Sequence, residues 1–218
     1  MSIAVEIRDA RPAALPAVAT SVQSTTSEAG PSPKRIVVGY GFWLFLLSDI
    51  VMFSALFAAY AVLTRATAGG PGGTQLFNQV NVAIETACLL ASSYTCGLMS
   101  LAVNSRRRAA FYLAAVVTFV LGAAFLGLEI REFADMIARG ATPQSSAFLS
   151  AFFTLVGCHG LHVAVGLVWL VVMMAQVAAK RFRATVLRRL LCFSLFWHAL
   201  DIIWVALFTV VYLMGVQP

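Results

Sequence analysis

Five long apolar runs constrain this chain before any single residue does: Phe42–Leu63, Val80–Val103, Ala109–Ile130, Ala147–Ala178 and Leu190–Leu213. At a rise of about 1.5 Å per residue, each is long enough to cross a hydrocarbon core of about 30 Å. Inside that core every backbone N–H and C=O must find its partner within the protein, and a helix meets this demand within one segment. The expected fold is therefore all-α and integral to the membrane, with five transmembrane helices in one bundle. The fourth run is too long for an upright span and should tilt or project from the bilayer.

Composition agrees. The chain is 61% hydrophobic and 11% charged over 218 residues, whereas a soluble domain carries about 25% charged residues. The net charge of +6 sits in short connections, which points to membrane topology rather than nucleic-acid binding. With five crossings, Arg8, Arg11, Lys34, Arg35, Arg106, Arg107, Arg108, Lys180, Arg181, Arg183, Arg188 and Arg189 fall on one side, against Arg65, Arg131 and Arg139 on the other. This asymmetry predicts a cytoplasmic N-terminus and a periplasmic C-terminus. Residues 1–34 are rich in Ala, Pro, Ser and Thr and read as a disordered cytoplasmic tail, leaving 35–218 as the membrane domain. Ala68–Thr74, AGGPGGT, is a turn region and no phosphate loop, because the Gly-Lys-Ser/Thr ending and the preceding strand are missing. Gly140–Pro143 reads as an ordinary loop. Cys88, Cys96, Cys158 and Cys192 all lie in apolar runs without a CxxC, as expected of small packing residues rather than a disulfide or zinc framework.

Against this background the polar residues inside the runs stand out. Phe152–Leu170, FFTLVGCHGLHVAVGLVWL, carries His159 and His162 among Gly157, Gly160 and Gly166. Residues three apart share a helix face, a polar face avoids lipid tails, and the glycines allow another backbone to approach. The stretch reads as a buried packing surface. In the fifth run, FWHALDIIW places His198 and Asp201 three residues apart, where a hydrogen bond or ion pair between them is feasible and the face reads as a polar clamp to another helix or a proton relay. Asp49 lies about 10 Å inside the cytoplasmic end of the first run and reads as a proton-handling or structural carboxyl group. Glu85 has no evident local partner and is expected to bond to a neighbouring helix, with His159 or His162 as candidates. Glu129, next to Arg131 and Glu132, suggests an interfacial ion-pair cluster. Haem held by His198 with His159 or His162, or copper on Cys158 and His162, are the metal readings, and no spacing demands either. The residues compose no catalytic centre.

Three segments resemble a known family. Gly41–Leu63, Phe152–Leu170 and Leu195–Gly215, the last LFWHALDIIWVALFTVVYLMG, are similar to subunit III of the haem–copper terminal oxidases. The likeness runs from about Lys34 to Val216, and HGLHV followed by WHxxDxxW is its most specific part. Thr67–Gly73, Val82–Thr86 and Gly127–Phe133 resemble the branch of the cytochrome bo-type ubiquinol oxidases. Mitochondrial-type subunit III has seven spans, of which this chain lacks the first two. Asp49 stands where the cytochrome c oxidases have a glutamate reactive to carbodiimide.

The resemblance implies a subunit without haem or copper, with those metals in partner subunit I. It implies packing against subunit I, partner subunits II and IV, bound phospholipid, support of assembly and of proton uptake, and a location in the bacterial inner membrane. The complex would be a proton-transporting ubiquinol oxidase of the aerobic respiratory chain. Other readings are subunit III of a bacterial cytochrome c oxidase, a stand-alone transporter with Asp49, Glu85 and Glu129 along its path, and an accessory protein of nitric oxide reductase. Unbroken spans and the lack of a visible inverted repeat count against the transporter.

Overall fold

The computed structural model describes residues 34–69 and 79–213. The expected tail therefore lies outside the described residues, Lys34 excepted, and so does the turn region beyond Gly69. Five helices follow one another: α1 Lys34–Leu63, α2 Gln79–Asn104, α3 Arg108–Ala138, α4 Ala147–Lys180 and α5 Ala184–Leu207. The chain beyond α5 continues over Phe208–Leu213 in π-helical winding. All five are long and apolar enough to cross a membrane, and the described residues contain no strand. The helices overrun the apolar runs. α1 starts eight residues before Phe42, and α3 continues eight residues past Ile130, through Arg131 and Asp135. Apolarity marks only what lies in hydrocarbon, while the helix continues until the backbone meets a stop signal.

The stop signals are identifiable. Gly140, with φ 81°, ends α3. Its N–H donates to Ile137 O, and that of Ala141 donates to Met136 O, both at 3.0 Å. This is the double bond pattern of a Schellman ending, where glycine is preferred. The same pattern ends α2 without a glycine. Arg107 N donates to Ala102 O at 3.0 Å and Arg106 N to Val103 O at 3.1 Å, with Arg106 itself at φ 51°. α4 opens on Ser146, whose hydroxyl accepts from Leu149 N at 3.1 Å and so satisfies a first-turn donor.

Short connections force α2 to α5 to alternate in direction. α1 does not pack on its neighbour in sequence; it lies against α4 and α5. Phe148 N, at the start of α4, donates to Ala66 O just beyond α1 at 3.2 Å, so α1 and α4 run antiparallel.

Lipid tails give helices no hydrophobic reason to associate, so close packing and interhelical hydrogen bonds must supply it. Both are concentrated on α5. Its polar side chains meet hydroxyl groups of α2 at four levels: Trp204 Nε1 donates to Thr86 Oγ1 at 3.1 Å, and Trp197 Nε1 to Ser92 Oγ at 3.1 Å. His198 Nδ1 lies 2.8 Å from Ser93 Oγ, and Ser194 Oγ lies 3.3 Å from Ser100 Oγ. Thr95 joins Thr118 at 2.7 Å between α2 and α3, and Tyr112 donates to Met174 O at 3.1 Å between α3 and α4.

The glycines of α4 were expected to admit another backbone, but the structure fills them with side chains. A Cβ on Gly166 would stand 2.8 Å from the Trp197 ring, and one on Gly122 of α3 would stand 3.0 Å from the same indole. Gly160 is occupied by the Glu129 carboxyl group, and Gly157 faces the Phe133 ring at 3.6 Å. Trp197 is thus clasped between α3 and α4 while hydrogen bonded to α2.

This clasp makes a prediction. Gly166→Val should push the indole aside and lower thermal stability by about 1–3 kcal/mol, the usual range for overpacking. Gly39→Val, at a glycine with nothing within 4 Å, should leave it unchanged. Thermal unfolding followed by tryptophan fluorescence distinguishes the two.

Candidate functional site

The structure sorts the polar residues inside the helices into three groups. The first lies between α1 and α4. His159 is fully buried, its ring set against Trp204 at 5.2 Å, Phe125 at 5.8 Å and Phe53 at 6.3 Å between centroids. Neither of its ring nitrogens has a hydrogen-bond partner among the described residues. His162, one turn on, is half-buried between Phe53 at 5.3 Å and Phe196 at 6.5 Å. Its Nδ1 lies 2.7 Å from Cys158 O, a contact that makes Nδ1 the donor and fixes the tautomer. Asp49 of α1 is partly buried and within electrostatic reach of His162 and of Cys158. The two histidines therefore share Phe53 but sit in different surroundings, one sealed in aromatic rings and the other beside a carboxyl group.

The second group is the α2–α5 contact. The sequence suggested a direct bond between His198 and Asp201. The structure instead places Ser93 between them: its hydroxyl is 2.8 Å from His198 Nδ1 and also bonds the Asp201 carboxyl group. One oxygen of Asp201 remains without a partner. Two polar groups one turn apart on α5 thus reach a shared hydroxyl on α2 and stay within electrostatic reach of each other. A serine, a histidine and an aspartate in contact suggest a hydrolase, but here the serine touches both partners and lies in a helix–helix contact. Such an arrangement holds helices together.

The third group is sealed inside the bundle. Glu85 of α2 and Glu129 and Glu132 of α3 are all buried and lie within electrostatic reach of one another. Tyr212, in the π-helical turn after α5, is in reach of all three and of Tyr60 on α1. The ion-pair cluster suggested for Glu129 does not match this placement: Glu129 and Glu132 point inward while Arg131 is exposed. Helical geometry explains the split, because residues 129 and 132 share a face that residue 131 does not. Glu85 likewise meets carboxyl groups and a phenol rather than the histidines. Sequence reasoning passed over Ser92, Ser93, Thr86 and Tyr212 as contributors. A signal for the hydroxyls existed, since Thr86 and Ser93 are seven residues apart and repeat on the face that Trp204 and His198 must meet.

A resident metal does not fit these residues. His198 and His162 are engaged by Ser93 and by a backbone carbonyl. Cys158 Sγ is 3.9 Å from His162 Nδ1, the same nitrogen that faces the carbonyl. Among the described residues no group of three or more His, Cys, Asp or Glu is placed to hold an ion.

Comparison with known proteins supplies what the geometry leaves open. The profile of the family described as cytochrome c oxidase subunit III matches residues 22–216. The chain belongs to this family. Among curated relatives, the cytochrome bo(3) ubiquinol oxidase subunit 3 of Pseudomonas aeruginosa is 53% identical over 176 residues, covering 81% of this chain and 84% of the relative. That of Pseudomonas putida is 49% identical, covering 81% and 85%. The quinol oxidase subunit 3 of Bacillus spizizenii is 42% identical over 178 residues, covering 80% and 86%. The matched region takes in all three polar groups.

Two predictions follow from the site. Ser93→Ala should weaken the helix contact as much as Asp201→Ala, each by about 1–3 kcal/mol, the range for a buried polar group left unsatisfied. The double exchange should fall well short of additivity, because both act on one bond network; thermal unfolding of the three variants measures this. His159→Leu should reduce the yield of assembled protein but leave the haem content of whatever complex is recovered unchanged, as read from its absorption spectrum.

Proposed function

We propose that the chain is subunit III of a terminal quinol oxidase, a non-catalytic membrane subunit of a complex that oxidises ubiquinol and reduces oxygen. The observation that carries this is the 53% identity, over 81% of the chain, to a cytochrome bo(3) ubiquinol oxidase subunit 3. The internal chemistry supports it. The described polar residues bridge helices, bury against aromatic rings or cluster as acids. Haems and copper then belong to subunit I, and this chain packs beside it together with subunits II and IV and membrane phospholipid, in the inner membrane of a bacterium.

Orientation follows from the loops. Arg106, Arg108, Lys180, Arg181 and Arg183 line one cleft at one end of the bundle, whereas Arg65 and Arg139 belong to connections at the other end. The rule that basic loops face the cytoplasm places the first end inside, with the N-terminus, and the C-terminus outside. Asp49 then lies in the cytoplasmic part of α1, on the side from which a respiratory oxidase draws protons. Partly buried and beside His162, it is positioned to pass protons toward a neighbouring subunit. Glu85, Glu129 and His159 act as buried polar packing, and His162, His198 and Asp201 as half-buried polar packing.

The reading is tested by recovering the complex through an affinity tag on this chain and recording its reduced-minus-oxidised spectrum. A b- and o-type haem signature without a dinuclear copper band is expected. A dinuclear copper band would assign the chain to a cytochrome c oxidase instead, and recovery of the chain without haem-bearing partners would remove the oxidase reading. For Asp49, the Asp49→Asn variant keeps size and polarity. It should retain initial oxygen consumption within about twofold, yet slow proton uptake or lose activity sooner as pH rises and protons become scarce. A pH profile and active lifetime equal to those of the unaltered complex would make Asp49 structural.

A further inference from the structure

Packing alone does not account for the sealed acids. Glu85 of α2 and Glu129 and Glu132 of α3 are 0%, 3% and 8% exposed, and they lie within electrostatic reach of one another. Both carboxyl oxygens of Glu85, one of Glu129 and one of Glu132 have no hydrogen-bond partner among the described residues. Such atoms cost stability, and a purely structural contact would have them bonded, as Thr86, Ser92 and Ser93 are. Tyr60 of α1 repeats the pattern. Its side chain is 1% exposed and its hydroxyl has no partner among the described residues. Tyr60 lies in reach of Tyr212, which in turn reaches all three carboxyl groups. Tyr212 belongs to the π-helical winding over Phe208–Leu213, a departure from the α-helix that is frequent at functional sites. On α4, His159 borders the group, since the Glu129 carboxyl fills the place of a Cβ on the adjoining Gly160.

The acids also lead outward. Glu129, Glu132 and Asp135 follow one another at intervals of three on α3. Each interval advances about 4.5 Å along the helix and drifts about 60° around it. The row therefore starts in the core at Glu129 and surfaces at Asp135, which is exposed. Asp135 lies in reach of Glu132, and so does Arg139 just past the helix. We propose that Glu85, Glu129 and Glu132 form an internal proton-holding site, bridged by water, that exchanges protons with the aqueous phase at the end of α3 through Asp135. Three ionised carboxyl groups this close would repel one another where little solvent screens them, so the group shares protons. Water fits the unpartnered oxygens because it both donates and accepts, and ionisable groups inside a membrane serve as proton relays. Each transfer breaks one O–H bond and forms another. A proton passes from one carboxyl group to water or to the next carboxyl, and Asp135 hands it to solvent; no oxidant or reductant enters. In the orientation proposed above, this end is the outer face, where a proton-pumping oxidase releases protons. The site lies within this chain and stands whichever electron donor the complex uses.

The test records the infrared carboxyl C=O band of the complex, recovered through a tag on this chain, on rapid transfer into deuterated buffer. Protonated carboxyl groups absorb apart from ionised ones, and their band shifts when deuterium replaces hydrogen. The spectrum of the unaltered complex minus that of the Glu129→Gln complex is expected to contain such a band, and the band should shift in deuterated buffer. If Glu129→Gln does not assemble, Glu85→Gln or Glu132→Gln takes its place in the subtraction. Asp135→Asn, at an exposed side chain, should leave the size of the band unchanged. It should slow the shift about a hundredfold, the lower end of what a positioned proton-transfer group contributes. Arg131→Gln, also exposed on α3, should leave the rate as it is. A difference spectrum without a protonated carboxyl band would overturn the proposal, because the acids would then hold no proton. A band that stays fixed in deuterated buffer would overturn it by making the group a sealed structural one. A rate untouched by Asp135→Asn would overturn it by removing the outlet.

Discussion

The bundle depends on one side chain more than on any other. The indole of Trp197 fills the spaces left by Gly122 and Gly166 and gives its N–H to Ser92, so a single residue of α5 fixes its distance to three other helices. In a membrane this matters more than it would in water. Helices already surrounded by hydrocarbon gain little by exchanging lipid for leucine, and what remains is van der Waals fit and the hydrogen bond. Trp197 supplies both at one point, and the bonds at Thr86, Ser93 and Ser100 repeat the second along the same contact. Four hydroxyls on α2 thus set the register of α5, since a slip by one residue would leave every donor without its acceptor.

The elements that were legible in advance are those dictated by solvent. Five apolar runs have to be helices in hydrocarbon, and the charge asymmetry of the loops follows the same membrane physics. Helix ends were less legible. The apolar runs stop where lipid stops, whereas Gly140 and Arg106 end α3 and α2 through backbone bonds, and only the first of these carries the residue type that signals it. The site residues were visible as polar interruptions, but their partners were not. Periodicity indicates which residues share a face of one helix; it does not indicate which residue of another helix that face will meet. His198 and Asp201 were visible as neighbours within electrostatic reach, but Ser93 of α2, which joins them, was not. Glu129 seemed paired with Arg131, when a rotation of about 200° between residues two apart places one inside and one outside. Function was legible only through likeness to a family.

The arrangement also has a consequence for the order in which the chain must be made. α1 has its packing partners in α4 and α5, at least 84 residues further along the sequence, from Leu63 at its end to Ala147. Of the described helices it is made first, and it enters the bilayer before either partner exists. For that interval it lacks both of its packing partners. Its sequence is suited to this wait: Val51 and Val62 are 69% and 81% exposed in the finished fold, and Asp49 is the one acidic residue in the whole helix. α5 could not survive such isolation as comfortably, since Trp197, His198, Asp201 and Trp204 need hydroxyls that α2 has already brought into place. The division of polar groups along the chain, scarce in the first helix and dense in the last, is therefore also a timetable of insertion.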